Sequence, residues 1–116
     1  MKVLVIDDSP FIAKAVAKAL EGTEHVVVDS ALNGQIGVDK YMEHKPDVIT
    51  LDVTMPVMDG LTTARKLFEI NPNVKIIMLS AMGDEVLYDE ARGIGVKHFL
   101  TKPFKPDDLK SKSAAI

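Results

Sequence analysis

Five short apolar runs divide the chain, each closed by polar or turn-forming residues and each followed by a stretch with helical spacing. Val3 to Ile6 is a continuous β-branched and leucine run, the pattern of a strand buried on both faces of a parallel sheet. Asp7-Asp8-Ser9-Pro10 ends it. Ser9 reads as an N-cap and Pro10 as the first helical residue, and Ile12, Ala15, Val16, Ala19 and Leu20 recur at helical spacing as far as Glu21-Gly22. His25 to Asp29 reads as a second strand, and Asn33-Gly34 turns into a helix through Val38, Tyr41 and Met42, weakened by Gly37. Pro46-Asp47 precedes a third strand, Val48 to Leu51. Asp59-Gly60 then leads into a helix with Leu61, Ala64, Leu67 and Phe68 on one face, stopped by Asn71-Pro72-Asn73. Lys75 to Leu79 is the fourth strand, Asp84 to Arg92 the fourth helix and Lys97 to Leu100 a short fifth strand, left by Thr101-Lys102-Pro103-Phe104.

Strand-then-helix units of this kind imply right-handed crossovers and an α/β fold: a doubly wound, five-stranded parallel sheet in the flavodoxin-like order 2-1-3-4-5. The last element breaks the pattern. Pro106-Asp107-Asp108-Leu109 starts a helix correctly, but Lys110 to Ile116 supplies almost no apolar face, so the final helix is expected to be short or truncated, or the tail disordered. This divides the chain into a domain over 1–109 and a tail or truncated last helix over 110–116.

The remaining features narrow the function. With 116 residues the chain suits one domain with a single core. A net charge of −3 gives no basic footprint for direct binding of nucleic acid or an anionic membrane. The absence of cysteine excludes disulfides, thiolate metal sites and a thiol nucleophile. The apolar start is interrupted by Asp7 and Asp8, far short of a signal-peptide core or membrane span, so a cytoplasmic location is expected.

The chemistry gathers at the carboxyl ends of the strands. Asp52 follows the third apolar run, and Pro56, with no N–H to give a ladder, ends strand pairing soon after. A carboxylate at such a tip faces the crevice where open parallel sheets bind ligands. It could instead cap the next helix, but Asp59 lies closer to that helix start and is the better cap. Asp7 and Asp8 end the first strand, Ser80 ends the fourth and Lys102 follows the fifth. With the first and third strands adjacent, three carboxylates meet. Two unit charges about 5 Å apart in an effective dielectric near 20 repel by roughly 3 kcal/mol, so the arrangement calls for a counter-ion. Lys102 supplies one positive charge, and the excess suits a hard divalent cation on oxygen ligands, with Mg2+ the natural candidate. A carboxylate nucleophile, magnesium, a lysine and a small hydroxyl together form a set that can accept a phosphoryl group.

Asp7-Asp8, Asp52 followed by Met55-Pro56 and Asp59-Gly60, Ser80-Ala81 and Lys102-Pro103-Phe104 resemble the receiver (CheY-like) domain of two-component response regulators, the chemotaxis type most of all, from Lys2 to about Leu109. The resemblance implies a phosphorylation-dependent signalling switch. Asp52 would accept the phosphoryl group from a histidine kinase, and the change would be read by a downstream effector protein or a fused output domain. It implies that Asp8, Asp52 and the Thr54 backbone carbonyl bind Mg2+, that Asp7 acts through water, and that Lys102 and Ser80 contact the phosphoryl group. Ser80 and Phe99 would form the switch, although Phe99 reads equally well as a core aromatic of the fifth strand. Thr54 and Met82 occupy positions that vary among receivers and tune phosphate lifetime, and the Met82 side chain is expected to shield the phosphate from water. Such a domain is a phosphoacceptor with self-catalysed phosphotransfer and slow autodephosphorylation rather than an enzyme, in chemotaxis or as the N-terminal regulatory domain of a larger response regulator.

The enzyme alternative is a magnesium-dependent phosphatase of the haloacid dehalogenase class, which also uses an aspartate nucleophile after an apolar strand. That class wants a second aspartate two residues on, where this chain has Thr54, and usually a cap domain, for which it has no room. A flavodoxin-like flavin carrier would place a flavin phosphate against Asp7-Asp8, whose charges would repel it.

Overall fold

A computed structural model describes residues 1–53, 55, 57–81 and 83–116, so the expectations placed on Thr54 and Met82 lie outside the described residues. Five parallel strands form one sheet in the order β2-β1-β3-β4-β5. They are β1 (Lys2–Ile6), β2 (Val26–Ala31), β3 (Val48–Asp52), β4 (Ile76–Ser80) and β5 (His98–Thr101). Helices α1 (Pro10–Ala19), α2 (Gly34–His44), α3 (Gly60–Ile70), α4 (Tyr88–Ile94) and α5 (Pro106–Ala114) connect or follow them, with a short 3-10 helix, Asp84–Leu87, ahead of α4. This is the doubly wound order the alternation of strands and helices implied.

The continuous apolar runs of β1, β3 and β4 are buried throughout apart from Lys2, because both faces of the sheet are covered. Alternation within each strand divides the interior in two. Leu4, Ile6, Ile49, Leu51, Ile76 and Met78 pack with Leu61, Ala64 and Leu67 of α3 and Ala91 of α4. Val3, Val5, Val48, Ile77 and Leu79 point the other way, to Val16 and Ala19 of α1 and Leu109 of α5.

Three departures from the sequence expectation have local causes. β2 lies later than His25 to Asp29, because pairing with β1 runs from Lys2↔Val26 to Ile6↔Ala31, with an irregular step between Val3 and Leu4. The fourth helix divides: Asp84 accepts from the Ala81 N–H at 3.0 Å and Glu85 from the Gly83 N–H at 2.8 Å. These carboxylates bond back into the preceding loop, the turn Asp84–Leu87 is 3-10, as is common at helix starts, and α-helix begins only at Tyr88. The last helix is short but continues through Ala114, anchored by buried Leu109 and Ser113, and Ile116 packs on the α1 side.

Gly37 is explained by packing rather than by helix propensity. A Cβ built there would lie 2.5 Å from Ile6 Cδ1 and 2.8 Å from Ile6 Cγ1, so the absent side chain lets α2 approach β1. Alanine gains about 1 kcal/mol over glycine in an open helix interior. Gly37→Ala is expected to reverse that sign and destabilise the protein by about 1 to 3 kcal/mol, the usual range for overpacking, as read by urea unfolding. A stabilised Gly37→Ala protein would refute the close approach of α2 to Ile6.

Candidate functional site

Parallel order brings the carboxyl ends of all five strands to one edge, and β1 and β3 are neighbours there. Asp7 leaves β1 and Asp52 closes β3, and both are buried, at 2% and 6% exposure, while Asp8 faces solvent. One carboxylate oxygen from each of the three lies within 4.8 Å of the others. Asp7 is fixed on both sides: its backbone N–H donates to the Ala31 carbonyl at 2.9 Å, and its Oδ1 accepts from the Ser9 N–H at 2.9 Å. Ser9 therefore precedes α1 as expected, but its side chain makes no capping bond.

Lys102 enters from the far side of the sheet. Its ammonium donates to Asp7 Oδ2 at 2.7 Å and lies 3.4 Å from Asp52 Oδ1. Burial by itself would lower the Lys102 pKa, but the hydrogen bond it donates to Asp7 and the charge of Asp52 outweigh it, so the pKa is raised above 10.5. The Lys102 backbone N–H donates to the Ser80 carbonyl at 2.7 Å, which ties the loop after β5 to the end of β4.

Helix α3 begins beside the site without using Asp52 as its cap. Asp59 Oδ1 accepts from the Thr62 N–H at 2.8 Å, which fulfils the capping role the sequence assigned to it. Gly60 donates its N–H to the Val53 carbonyl at 3.0 Å, and a Cβ on Gly60 would collide with the Asp52 carbonyl oxygen and lie 2.6 Å from Val53 Cα. Only glycine lets the helix start come this near the backbone that carries Asp52.

Ser80 stands apart from the acids. In the β3/β4 register Asp52 pairs with Leu79, so the side chain of Ser80 leaves the sheet on the opposite face from Asp52. The Ser80 hydroxyl is fully buried and lies 2.6 Å from the Tyr88 hydroxyl at the start of α4. Tyr88 also packs on Phe99, with ring centroids 4.3 Å apart and the planes 32° from parallel, and the Arg92 guanidinium lies over both rings. Phe99 is half-buried in that stack. The sequence reading singled out Ser80 and Phe99 but passed over Tyr88. Helical spacing offered a signal, since Tyr88 stands three residues before buried Ala91 and four before Arg92, whose guanidinium lies over its ring.

The geometry thus joins Asp7, Asp8, Asp52 and Lys102 in one cluster and places Ser80 and Phe99 in an adjoining one, linked through the Lys102–Ser80 backbone bond. A family model described as the response regulator receiver domain matches residues 3–114. The chain belongs to that family. Among similar receivers, the chemotaxis protein CheY of Thermotoga maritima is 40% identical over 105 residues, covering 90% of this chain and 88% of that protein. A protein-glutamate methylesterase/protein-glutamine glutaminase of Archaeoglobus fulgidus is 45% identical over 105 residues, 89% of this chain but 30% of its own length. The CheX–CheY–BeF3–Mg2+ complex from Borrelia burgdorferi superposes with a TM-score of 0.92 at 33% identity, covering 99% of this chain and 87% of that one.

Two measurements test the electrostatics of the cluster. Three clustered acids outnumber the single ammonium of Lys102, and a pair of like charges about 5 Å apart repels by roughly 3 kcal/mol at an effective dielectric near 20. Asp52→Asn is therefore expected to stabilise the metal-free protein by about 1 to 3 kcal/mol in urea melts at neutral pH. A less stable mutant would refute the shared site. For Lys102 the folded pKa exceeds the unfolded value of 10.5, so its stabilisation is complete below pH 10.5 and is lost as pH rises through the folded value. Lys102→Met should flatten that alkaline loss of stability, and an unchanged alkaline profile would contradict the pairing.

Proposed function

We propose that this receiver is a phosphorylation-dependent signalling switch in which Asp52 accepts a phosphoryl group from the phosphohistidine of a histidine kinase. The observation that carries the proposal is the buried Asp52 carboxylate, held beside Asp7, Asp8 and the Lys102 ammonium at the carboxyl edge of the sheet. In the transfer a carboxylate oxygen of Asp52 forms a bond to phosphorus, the phosphorus–nitrogen bond of the kinase imidazole breaks, and the departing imidazole takes up a proton. The product is an acyl phosphate.

The donor set fits magnesium. Asp7, Asp8 and Asp52 offer only carboxylate oxygens, the ligands a hard cation prefers, and they carry more negative charge than one lysine balances. Asp8 and Asp52 would hold the ion directly and Asp7 through water. Thr54, whose backbone carbonyl is the remaining expected ligand, lies outside the described residues. When bound, the ion neutralises charge on the phosphoryl oxygens. Lys102 is close enough to Asp52 to shift its ammonium from Asp7 to a phosphoryl oxygen, and Ser80 supplies a hydroxyl donor from the end of β4.

The output is altered partner binding. The CheY relative in the Borrelia burgdorferi complex is bound to CheX with beryllium fluoride and magnesium, which supports a receiver read by a separate protein. The methylesterase relative supports the other arrangement, a regulatory domain within a longer chain, in which this receiver would stand at the N-terminal end. Chemotaxis is the favoured setting, because CheY proteins of several bacteria are among the matches. The chain is a phosphoacceptor that catalyses its own phosphotransfer and slow dephosphorylation, not a turnover enzyme. Family membership lends no support to the phosphatase alternative. No helix among the described residues is long and apolar enough to cross a membrane. The net charge of −3 disfavours direct nucleic-acid binding, and a cytoplasmic partner protein is the proposed reader.

Incubation with acetyl phosphate and magnesium should add one phosphoryl group by intact-mass spectrometry, and Asp52→Asn should abolish the addition. Full-stoichiometry labelling of Asp52→Asn would sink the assignment of the phosphoacceptor.

A further inference from the structure

We propose that Tyr88 is a positioning residue for Ser80, a latch whose phenol competes with an incoming phosphoryl oxygen for the serine hydroxyl. The inference rests on the phosphoacceptor reading of Asp52 and adds to it the group that sets how readily Ser80 is released.

A serine hydroxyl carries one proton and, in a buried setting, needs a partner. The Ser80 hydroxyl meets the Tyr88 hydroxyl at 2.6 Å, a short bond between two neutral groups. The register turns this side chain away from the face of Asp52. Asp52 and Leu79 are cross-strand partners and share a face, so Ser80, one residue on, projects to the face where α4 begins. Engaging a phosphoryl group on Asp52 therefore takes the Ser80 hydroxyl away from Tyr88. The exchange is one bond for another: Ser80 gives up the phenol oxygen and gains a phosphoryl oxygen.

The phenol is held so that its release has consequences. Its ring stacks on Phe99 of β5 at 4.3 Å, and the Arg92 guanidinium lies 5.8 Å from the Tyr88 ring centroid and 5.0 Å from that of Phe99. Thr101 Oγ1 is 3.4 Å from the Tyr88 hydroxyl, at the edge of hydrogen-bonding range. A phenol freed from Ser80 has Thr101 as its nearby partner, and closing that gap moves the aromatic pair and the first turn of α4 together. Phosphoryl binding at β3 would in this way reach the α4–β5 surface through a hydrogen bond, with Phe99 carried along by its stack on Tyr88.

The test is a double-mutant cycle on the full chain, with beryllium fluoride plus magnesium as the phosphoryl probe, read by titration calorimetry. Tyr88→Phe keeps the ring stack and removes only the hydroxyl, and it is expected to tighten binding about three- to tenfold, the worth of one neutral hydrogen bond. The gain should vanish in a Ser80→Ala background, which separates a latch on Ser80 from general loosening of α4. Metal-free urea melts of the same four proteins should show coupling between the two positions. Weaker or unchanged binding by Tyr88→Phe would overturn the latch, since a phenol that donates to Ser80 and so prepares it for phosphate would be missed rather than shed. An equal gain in the Ser80→Ala background would overturn it as well. A parent that shows the metal-free coupling but takes up no beryllium fluoride would overturn the phosphoacceptor reading and the latch with it. Uptake by the parent with no effect of Tyr88→Phe overturns the latch alone.

Discussion

The ion pair between Lys102 and Asp7 is the contact on which the rest of the site depends. Parallel strand order drives the ends of β1 and β3 together, and with them three carboxylates, two of which are almost without solvent. Like charges at that spacing in a medium of reduced dielectric oppose folding by amounts comparable to a large part of a small domain's net stability. A single ammonium, reaching 2.7 Å from Asp7 and 3.4 Å from Asp52, makes the arrangement tolerable without removing its excess charge. That residual imbalance is the ground on which a divalent cation is proposed for the cluster. It also means that the clustered charge works against the stability that packing provides.

Around this cluster the backbone is drawn unusually close. Gly60 brings the start of α3 against the chain at Asp52 and Val53, and Gly37 brings α2 against Ile6 of β1. Gly37 weakens the helix interior it occupies while Gly60 stands at a helix start, and both are required by what lies opposite. The same compactness joins the two halves of the site. The Lys102 N–H bonded to the Ser80 carbonyl places the cation that senses the acids and the hydroxyl that meets Tyr88 on two adjoining strand ends. The acids and the Ser80–Tyr88 pair are thereby joined through groups already in contact.

Much of this was legible in the residues themselves. Continuous apolar runs identified the strands, helical spacing identified the covering helices, and alternation of the two implied the parallel order that the structure has. Asp59 announced itself as a cap by its place before Gly60. The acids, Ser80 and Lys102 were visible because each directly ends or follows an apolar run, and strand ends must lie on one edge when every crossover returns the chain in the same direction. The strand bounds of β2 were less legible, since its start is decided by the partner strand, and the division of the fourth helix depended on side-chain bonds from Asp84 and Glu85 into the preceding loop.

The sequence by itself determined which elements form, their order and which polar residues arrive at the carboxyl edge, because these follow from local periodicity and from the handedness of the chain. Only the tertiary structure decided the partners those residues take. Lys102 is separated from Asp7 by almost the whole chain, so their ion pair is set by strand order and not by spacing. The Ser80 hydroxyl lies with Tyr88, because a one-residue step along a strand turns its side chain to the face opposite Asp52, where α4 packs. Periodicity assigns a residue to a face of its own element; what waits on that face is settled only when the elements pack.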